Sequence, residues 1–246
     1  MITSLDNSKI AQLKKLADKK YRKQFGLYVV EGERLVKDAI KHGAKILSVF
    51  VKQSQQAKYN FQNQLVVADN VFNKVCDTVS SQGVIAVVEQ QQHQLCCPTG
   101  NALVLDCLQD PGNVGTLIRT AAACGFSDVY AINSVDVYSP KVVRSAMSAH
   151  FCVRLHVLDS FEQVLEHLGG VPLVVADMDG QNVFQTQFAP KSALLVGNEG
   201  NGVSPEAKSH ATQVVSLPMQ NNFESLNVSV AGSVIMYQMF ATSQHN

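Results

Sequence analysis

The second half of the chain is a run of short, nearly all-apolar segments divided by helical ones, and this pattern limits the fold most. "NALVLDC", "DVYAIN", "RLHVL", "PLVVADM", "SALLVGNEG" and "QVVSLP" are each strand-sized. Strands apolar on both faces belong to a parallel sheet covered on both sides, because an exposed face would show polar alternation. The intervening helices are placed at 113–124, around "PKVVRSAMSAH", over "SFEQVLEHLG", near "SPEAKSHA", and over "SLNVSVAGSVIMYQMFA". The last would begin near Ser225, with Asn227 two residues inside it.

The first 90 or so residues repeat the alternation on a smaller scale. Ile10, Leu13, Leu16 and Ala17 lie at helical spacing with lysines between them, behind a cap at Asn7 or Ser8. "LYVVEG", "KILSVFVK", "QLVVADN" and "QGVIAVVEQ" read as strands, and Gly43 closes the helix "ERLVKDAIKHG". The polar stretch "EQQQHQLCCPTGN" is a linker candidate. We therefore expect an α/β protein with a small α/β domain over residues 1–90, a linker over 91–100 and a parallel-sheet domain over 101–246.

The chain has 246 residues, 46% of them hydrophobic and 16% charged, enough to build a substantial core. No apolar run approaches the roughly 18 residues of a membrane span, and the N-terminus has no signal-peptide core, so a cytoplasmic protein is expected. Six cysteines show no C-x-x-C pair and no zinc-ligand spacing, so no metal is expected and the thiols are read as reduced. A net charge of zero hides an asymmetry. Residues 1–60 carry 13 of the 20 Lys and Arg but only 5 of the 20 Asp and Glu. That N-terminal excess fits a polyanionic partner, and equally a solvated lysine-rich helix face.

Three segments follow predicted strands, where open α/β sheets bind ligands. In "DPGNVGTLIRTAAACGF" the spacing Gly112-Asn113-Val114-Gly115 matches neither nucleotide-loop template, and Asn133 stands where a dinucleotide site needs an acid. "LLVGNEGNGVS" holds three glycines in six residues and the carboxylate of Glu199. "LPMQNNFESLNVSVAGSVIMYQ" carries Ser229, Ala231, Gly232 and Ser233, small residues that allow close approach to a loop or a partner helix.

In this order the three segments resemble the three motifs of the SpoU (TrmH-like) family of the SPOUT superfamily. These are S-adenosylmethionine-dependent RNA ribose 2′-O-methyltransferases with a deep trefoil knot. The resemblance spans about residues 100–242, and the N-terminal part looks like the small RNA-binding domain of ribosomal-protein L30e type. It implies S-adenosylmethionine as cofactor, rRNA or tRNA as substrate docked by the basic N-terminal domain, and a homodimer. Asn113 and Arg119 would be the polar pair of motif 1 and Glu199 the carboxylate of motif 2, with Gly197 at the cofactor. Leu217 and Leu226 would flank the cofactor, and Ser225 and Asn227 would be the polar residues of motif 3. Arg119 would act as base or, since a guanidinium holds its proton tightly, as a phosphate and alkoxide stabiliser. Asn113 would orient Arg119 or the ribose, and Glu199 would orient Arg119 or local backbone amides. Ala146 and Ser148 depart from the family's usual serine and glycine on the helix after "VVR". A base methyltransferase and a non-catalytic RNA-binding factor remain alternative readings; a nicotinamide enzyme is disfavoured by the missing fingerprint.

Overall fold

The computed structural model describes residues 1–78, 80–93, 96–221 and 225–243; positions 94–95 of the expected linker and 222–224 of the third motif lie outside them. Two compact units form: Met1–Gln91 with Tyr138–Phe151, and Gln92–Val137 with the chain from Cys152 onward.

In the first unit, α1 (Ser8–Lys15) starts where Asn7 Oδ1 accepts a hydrogen bond from the Lys9 amide, so of the two cap candidates Asn7 serves. α2 (Lys19–Phe25) is capped by Asp18 and ended by Gly26 at φ 63°, a left-handed position that glycine takes without strain. β1 (Leu27–Glu31), α3 (Glu33–Lys41), β2 (Ile46–Lys52), β3 (Gln64–Val67), α4 (Asp69–Phe72) and β4 (Val84–Glu89) follow. The four strands lie in the order β1-β4-β2-β3, with only β2 and β3 parallel. Of the apolar stripe read from the sequence, Ile10, Leu13 and Leu16 are buried with Phe50, Phe72 and Ile85, whereas Ala17 lies beyond the end of α1 and is exposed. Truncating such a side chain, for example Leu16→Ala, costs about 2–5 kcal/mol.

The second unit holds β5 (Ala102–Asp106), α5 (Pro111–Ala123) and β6 (Asp128–Ile132). The next helix, α6 (Pro140–Ala146), falls in the first unit although it lies within the span expected for the C-terminal domain. There Tyr138 packs on Tyr28 with ring centroids 5.0 Å apart, Arg144 pairs with Asp77, and Ser148 bonds to Asp38. β7 (Arg154–Leu158), α7 (Phe161–Leu168), β8 (Leu173–Asn182), β9 (Ala193–Val196), α8 (Pro205–Ser209), β10 (Gln213–Ser216) and α9 (Val228–Ser243) complete the second unit. Its six strands run β10-β8-β9-β5-β6-β7, every neighbouring pair parallel. The expected parallel sheet is therefore present, and every residue of β5, β6 and β9 is buried. No described helix is long and apolar enough to cross a membrane.

Strand order reverses at β5: β6 and β7 lie on one side of it, β9, β8 and β10 on the other. Loops leaving the carboxyl ends of β5 and β9 are therefore neighbours, in the region where open sheets of this kind bind ligands. α9 packs back on α5. A Cβ on Gly232 would stand 2.6 Å from Leu117 Cδ2, and Thr120 Oγ1 lies 2.9 Å from Ser233 Oγ. The small residues of this helix thus serve a close helix contact within the unit.

Candidate active site

A cleft of about 480 Å³ opens beside the middle of β8 and the carboxyl ends of β9 and β10 and is closed by the start of α9. Its volume is that of a small-molecule site. Gly197, Glu199, Leu217, Ser225, Leu226 and Asn227, all singled out in the sequence, line it.

The motif 2 loop gets its shape from its glycines and asparagine. A Cβ on Gly197 would meet the Gly202 carbonyl oxygen at 2.4 Å, closer than any side chain tolerates. Asn198 and Gly202 exchange backbone hydrogen bonds of 2.9 and 3.0 Å, closing a tight turn. Asn198 Oδ1 accepts from the Gly200 and Asn201 amides, and its Nδ2 donates to the Cys107 carbonyl at 2.7 Å, tying the loop to the end of β5.

Glu199 joins this loop to motif 1. Its Oε1 accepts from Asn113 Nδ2 and the Asp110 amide, both at 3.2 Å, and its Oε2 from the Gln109 amide at 3.3 Å. Burial alone would raise its pKa. The hydrogen bonds from its own amide, Asn113, Asp110 and Gln109 outweigh that and hold the carboxyl below its ordinary value. Asn113 in turn accepts at Oδ1 from Asn227 Nδ2 at 3.0 Å. Asn227 Oδ1 accepts from the Ser229 amide (2.9 Å), the Ser229 hydroxyl (2.6 Å) and the Val230 amide (3.3 Å). One residue from each motif therefore forms a continuous chain, Glu199–Asn113–Asn227, ending on the exposed amides of α9.

One expectation changes here and one alternative is resolved. Asn227 does not stand inside the last helix: α9 begins at Val228, and Asn227 is the residue before it, its amide oxygen capping the first turn. Of the two partners left open for Glu199, the structure has the local backbone amides and not Arg119, and Asn113 likewise makes no hydrogen bond to Arg119. The polar atoms of Glu199 and Asn113 bond to each other, to Asn227 and to the 109–110 amides, and Arg119 has no hydrogen bond or ion pair among the described residues. Six residues along α5, Arg119 stands about 9 Å further on and about 120° round the helix from Asn113. It is exposed and does not line the cleft.

Asp177 was not singled out in the sequence. It lines the cleft and pairs with Lys208 at 2.6 Å. Its signal was present in "VVADMD", an acid near the end of an apolar strand, in a strand other than the one that follows motif 1.

The lining suits S-adenosylmethionine. Leu217, Leu226 and Ile235 give apolar walls for an adenine, and Asp177 can receive hydroxyl or ammonium donors. With Glu199, the cleft carries two carboxylates, complementary to a sulfonium cation.

The comparisons agree with this geometry. The model of the SpoU rRNA Methylase family matches residues 100–237, and that of the MRM3-like substrate binding domain matches residues 7–86. The 23S rRNA (guanosine(2553)-2′-O)-methyltransferase RlmP of Bacillus subtilis is 31% identical over 97% of this chain and 98% of its own length. The SpoU methyltransferase AviRb from Streptomyces viridochromogenes, solved in complex with AdoMet, superposes with a TM-score of 0.86 at 25% identity, over 96% of this chain and 97% of that one. An AdoMet-bound rRNA methyltransferase from Sinorhizobium meliloti gives 0.85 at 25% identity, over 97% of this chain and 96% of the other. With its three motifs joined by hydrogen bonds around one cleft, the chain belongs to the SpoU rRNA methylase family.

Proposed function

We propose that this protein transfers the methyl group of S-adenosylmethionine to a ribose 2′-hydroxyl of ribosomal RNA. The observation that carries the reading is the Glu199–Asn113–Asn227 chain, which ties the three motifs together at the rim of the cofactor cleft. S-adenosylmethionine supplies an electron-poor methyl carbon on a sulfonium. Gly197 and Leu217, with Ser225, Leu226 and Asp177, would hold it.

The 2′-oxygen would take the methyl carbon as its bond to sulfur breaks, giving the 2′-O-methyl ether and S-adenosylhomocysteine, with the hydroxyl proton passing to solvent. Alignment of the two reacting atoms accounts for much of such an acceleration. Glu199, Asn113 and Asn227 satisfy one another and so fix the rim without reorganisation. Arg119, exposed and without a partner among the described residues, is left as the cation for the RNA: its planar guanidinium matches a phosphate bidentately and stabilises negative charge developing on the attacking oxygen.

The same reading includes a homodimer, a cytoplasmic location and the trefoil threading of the family. Val230 and Tyr237 stand half-exposed seven residues apart on α9, as a partner-facing stripe would. The packing of α9 against α5 is compatible with that threading.

The test is methyl incorporation from labelled S-adenosylmethionine into rRNA isolated from cells lacking the protein, followed by digestion to nucleosides. The expected product is a 2′-O-methylated nucleoside. A methylated base would select the base methyltransferase, and no incorporation into any rRNA would select the non-catalytic factor.

A further inference from the structure

The first two helices carry more exposed charge than a solvated face needs. Lys9, Lys14, Lys15, Lys19, Lys20 and Lys23 are all exposed, and none pairs with a carboxylate among the described residues. The seventh cation is turned inward: Arg22 is 4% exposed, and its Nη1 donates to the Leu16 and Ala17 carbonyls at 2.8 and 2.7 Å. That contact locks the end of α1 to α2. On the same helix Tyr21 and Phe25 stack with ring centroids 5.9 Å apart and planes 21° from parallel, and Phe25 is 38% exposed. Lys15 Nζ and Lys20 Nζ stand 5.5 and 5.8 Å from the Tyr21 centroid.

We propose that Tyr21 and Phe25 form a platform on which an unpaired RNA base stacks, while the surrounding lysines bind the neighbouring phosphates. This rests on the RNA-methylating reading above and goes beyond it by naming the surface and the kind of RNA it takes. A pair of stacked rings with two ammonium groups over Tyr21 matches a ligand that is itself flat and anionic. Single-stranded loops present such bases, whereas a duplex hides them in its stack. An (i, i+4) aromatic pair contributes only weakly to a helix by itself. Helix stability is thus a small return for leaving Phe25 in water. Docking through phosphates alone would need the lysines but not the rings.

The chain contains no tryptophan, so Tyr21→Trp places a single indole fluorophore on the platform of the full-length protein. The probes are an RNA hairpin with a single-stranded loop, a blunt RNA duplex of the same composition, and heparin, a polyanion without bases. We expect the hairpin to quench the indole and the duplex and heparin to quench it far less. The double variant Tyr21→Ala, Phe25→Ala should lose roughly ten- to a hundredfold in hairpin affinity with cofactor affinity unchanged. Equal quenching by all three probes overturns the platform, as does undiminished hairpin binding by the double variant. Should the double variant lose cofactor binding through misfolding, the Tyr21→Trp titration decides alone. Methylation of rRNA by the wild-type protein, with no hairpin quenching in Tyr21→Trp, overturns the platform and leaves the activity standing; hairpin quenching in Tyr21→Trp without methylation by the wild-type protein does the reverse.

Discussion

The cofactor cleft and the α1–α2 surface solve opposite problems with polar residues. At the rim of the cleft the polar side chains hold one another: Glu199 on Asn113 and two amides, Asn113 on Asn227, Asn227 on the start of α9. On α1 and α2 the lysines have no carboxylate partners among the described residues. Groups that satisfy one another are rigid and hold a small molecule in register; cations left unsatisfied in the protein attract a polyanion. Arg119 belongs to the second kind although its neighbours in sequence belong to the first.

That contrast can be broken in a graded series. The largest effect is expected at Arg119→Ala, where methyl transfer falls about 10²–10³-fold, the range for losing one donor to developing negative charge. Isothermal titration should find its cofactor affinity unchanged, because Arg119 does not line the cleft. A matching loss of cofactor affinity would place Arg119 with the satisfied group after all.

Next comes reversal of the basic surface. Lys14→Glu, Lys15→Glu and Lys20→Glu together should lower RNA affinity by roughly one to two orders of magnitude at low salt. The slope of log K against log salt should become shallower by about 2–3. Filter binding across a salt series reads both quantities. These substitutions are cleaner than deleting residues 1–90, which would also strip the packing from Tyr138 and α6.

A smaller effect separates the two jobs of Asn227. Asn227→Ala should cost about 1 kcal/mol of stability through the lost cap of α9. Asn227→Asp keeps an oxygen for the Ser229 amide but removes the donor to Asn113. Thermal melts should show most of the stability retained in Asn227→Asp, with slower methyl transfer. Equal melting losses in both would mean that the link to Asn113, not the cap, stabilises the loop.

The smallest effect is on pH. The Glu199 carboxyl is held below its ordinary value in the folded protein, so its contribution is complete above the unfolded carboxylate pKa. It is lost only as pH falls through the lower folded value. Wild-type cofactor binding should therefore persist into mild acid. Glu199→Gln, with no charge to titrate, should show a flatter acid limb in the same titration. An identical limb in both proteins would remove Glu199 as its source.

Much of the fold was legible in the sequence, because burial constrains apolar patterns. The all-apolar runs could be buried only as a parallel sheet, and the stripe Ile10, Leu13, Leu16 could be buried only on one face of a helix. The glycines of "VGNEGNG" marked a tight turn, and the Gly202 carbonyl 2.4 Å from a Cβ on Gly197 shows why. Other features are tertiary. "SLN" has nothing that forbids a helix, so the start of α9 depended on the side chain of Asn227 competing for its amides. The apolar side chains of "PKVVRSAMSAH" must be buried somewhere, but their spacing does not say in which of two cores. Glu199 and Asn113 lie 86 residues apart in the chain, and only the fold shows that they bind each other rather than Arg119.

The most direct test is a map of 2′-O-methyl positions in rRNA from cells with the protein, cells without it, and cells carrying Arg119→Ala. The account predicts a position that is methylated only when the wild-type protein is present and that Arg119→Ala does not restore. An unchanged map in all three, or full restoration by Arg119→Ala, would contradict it.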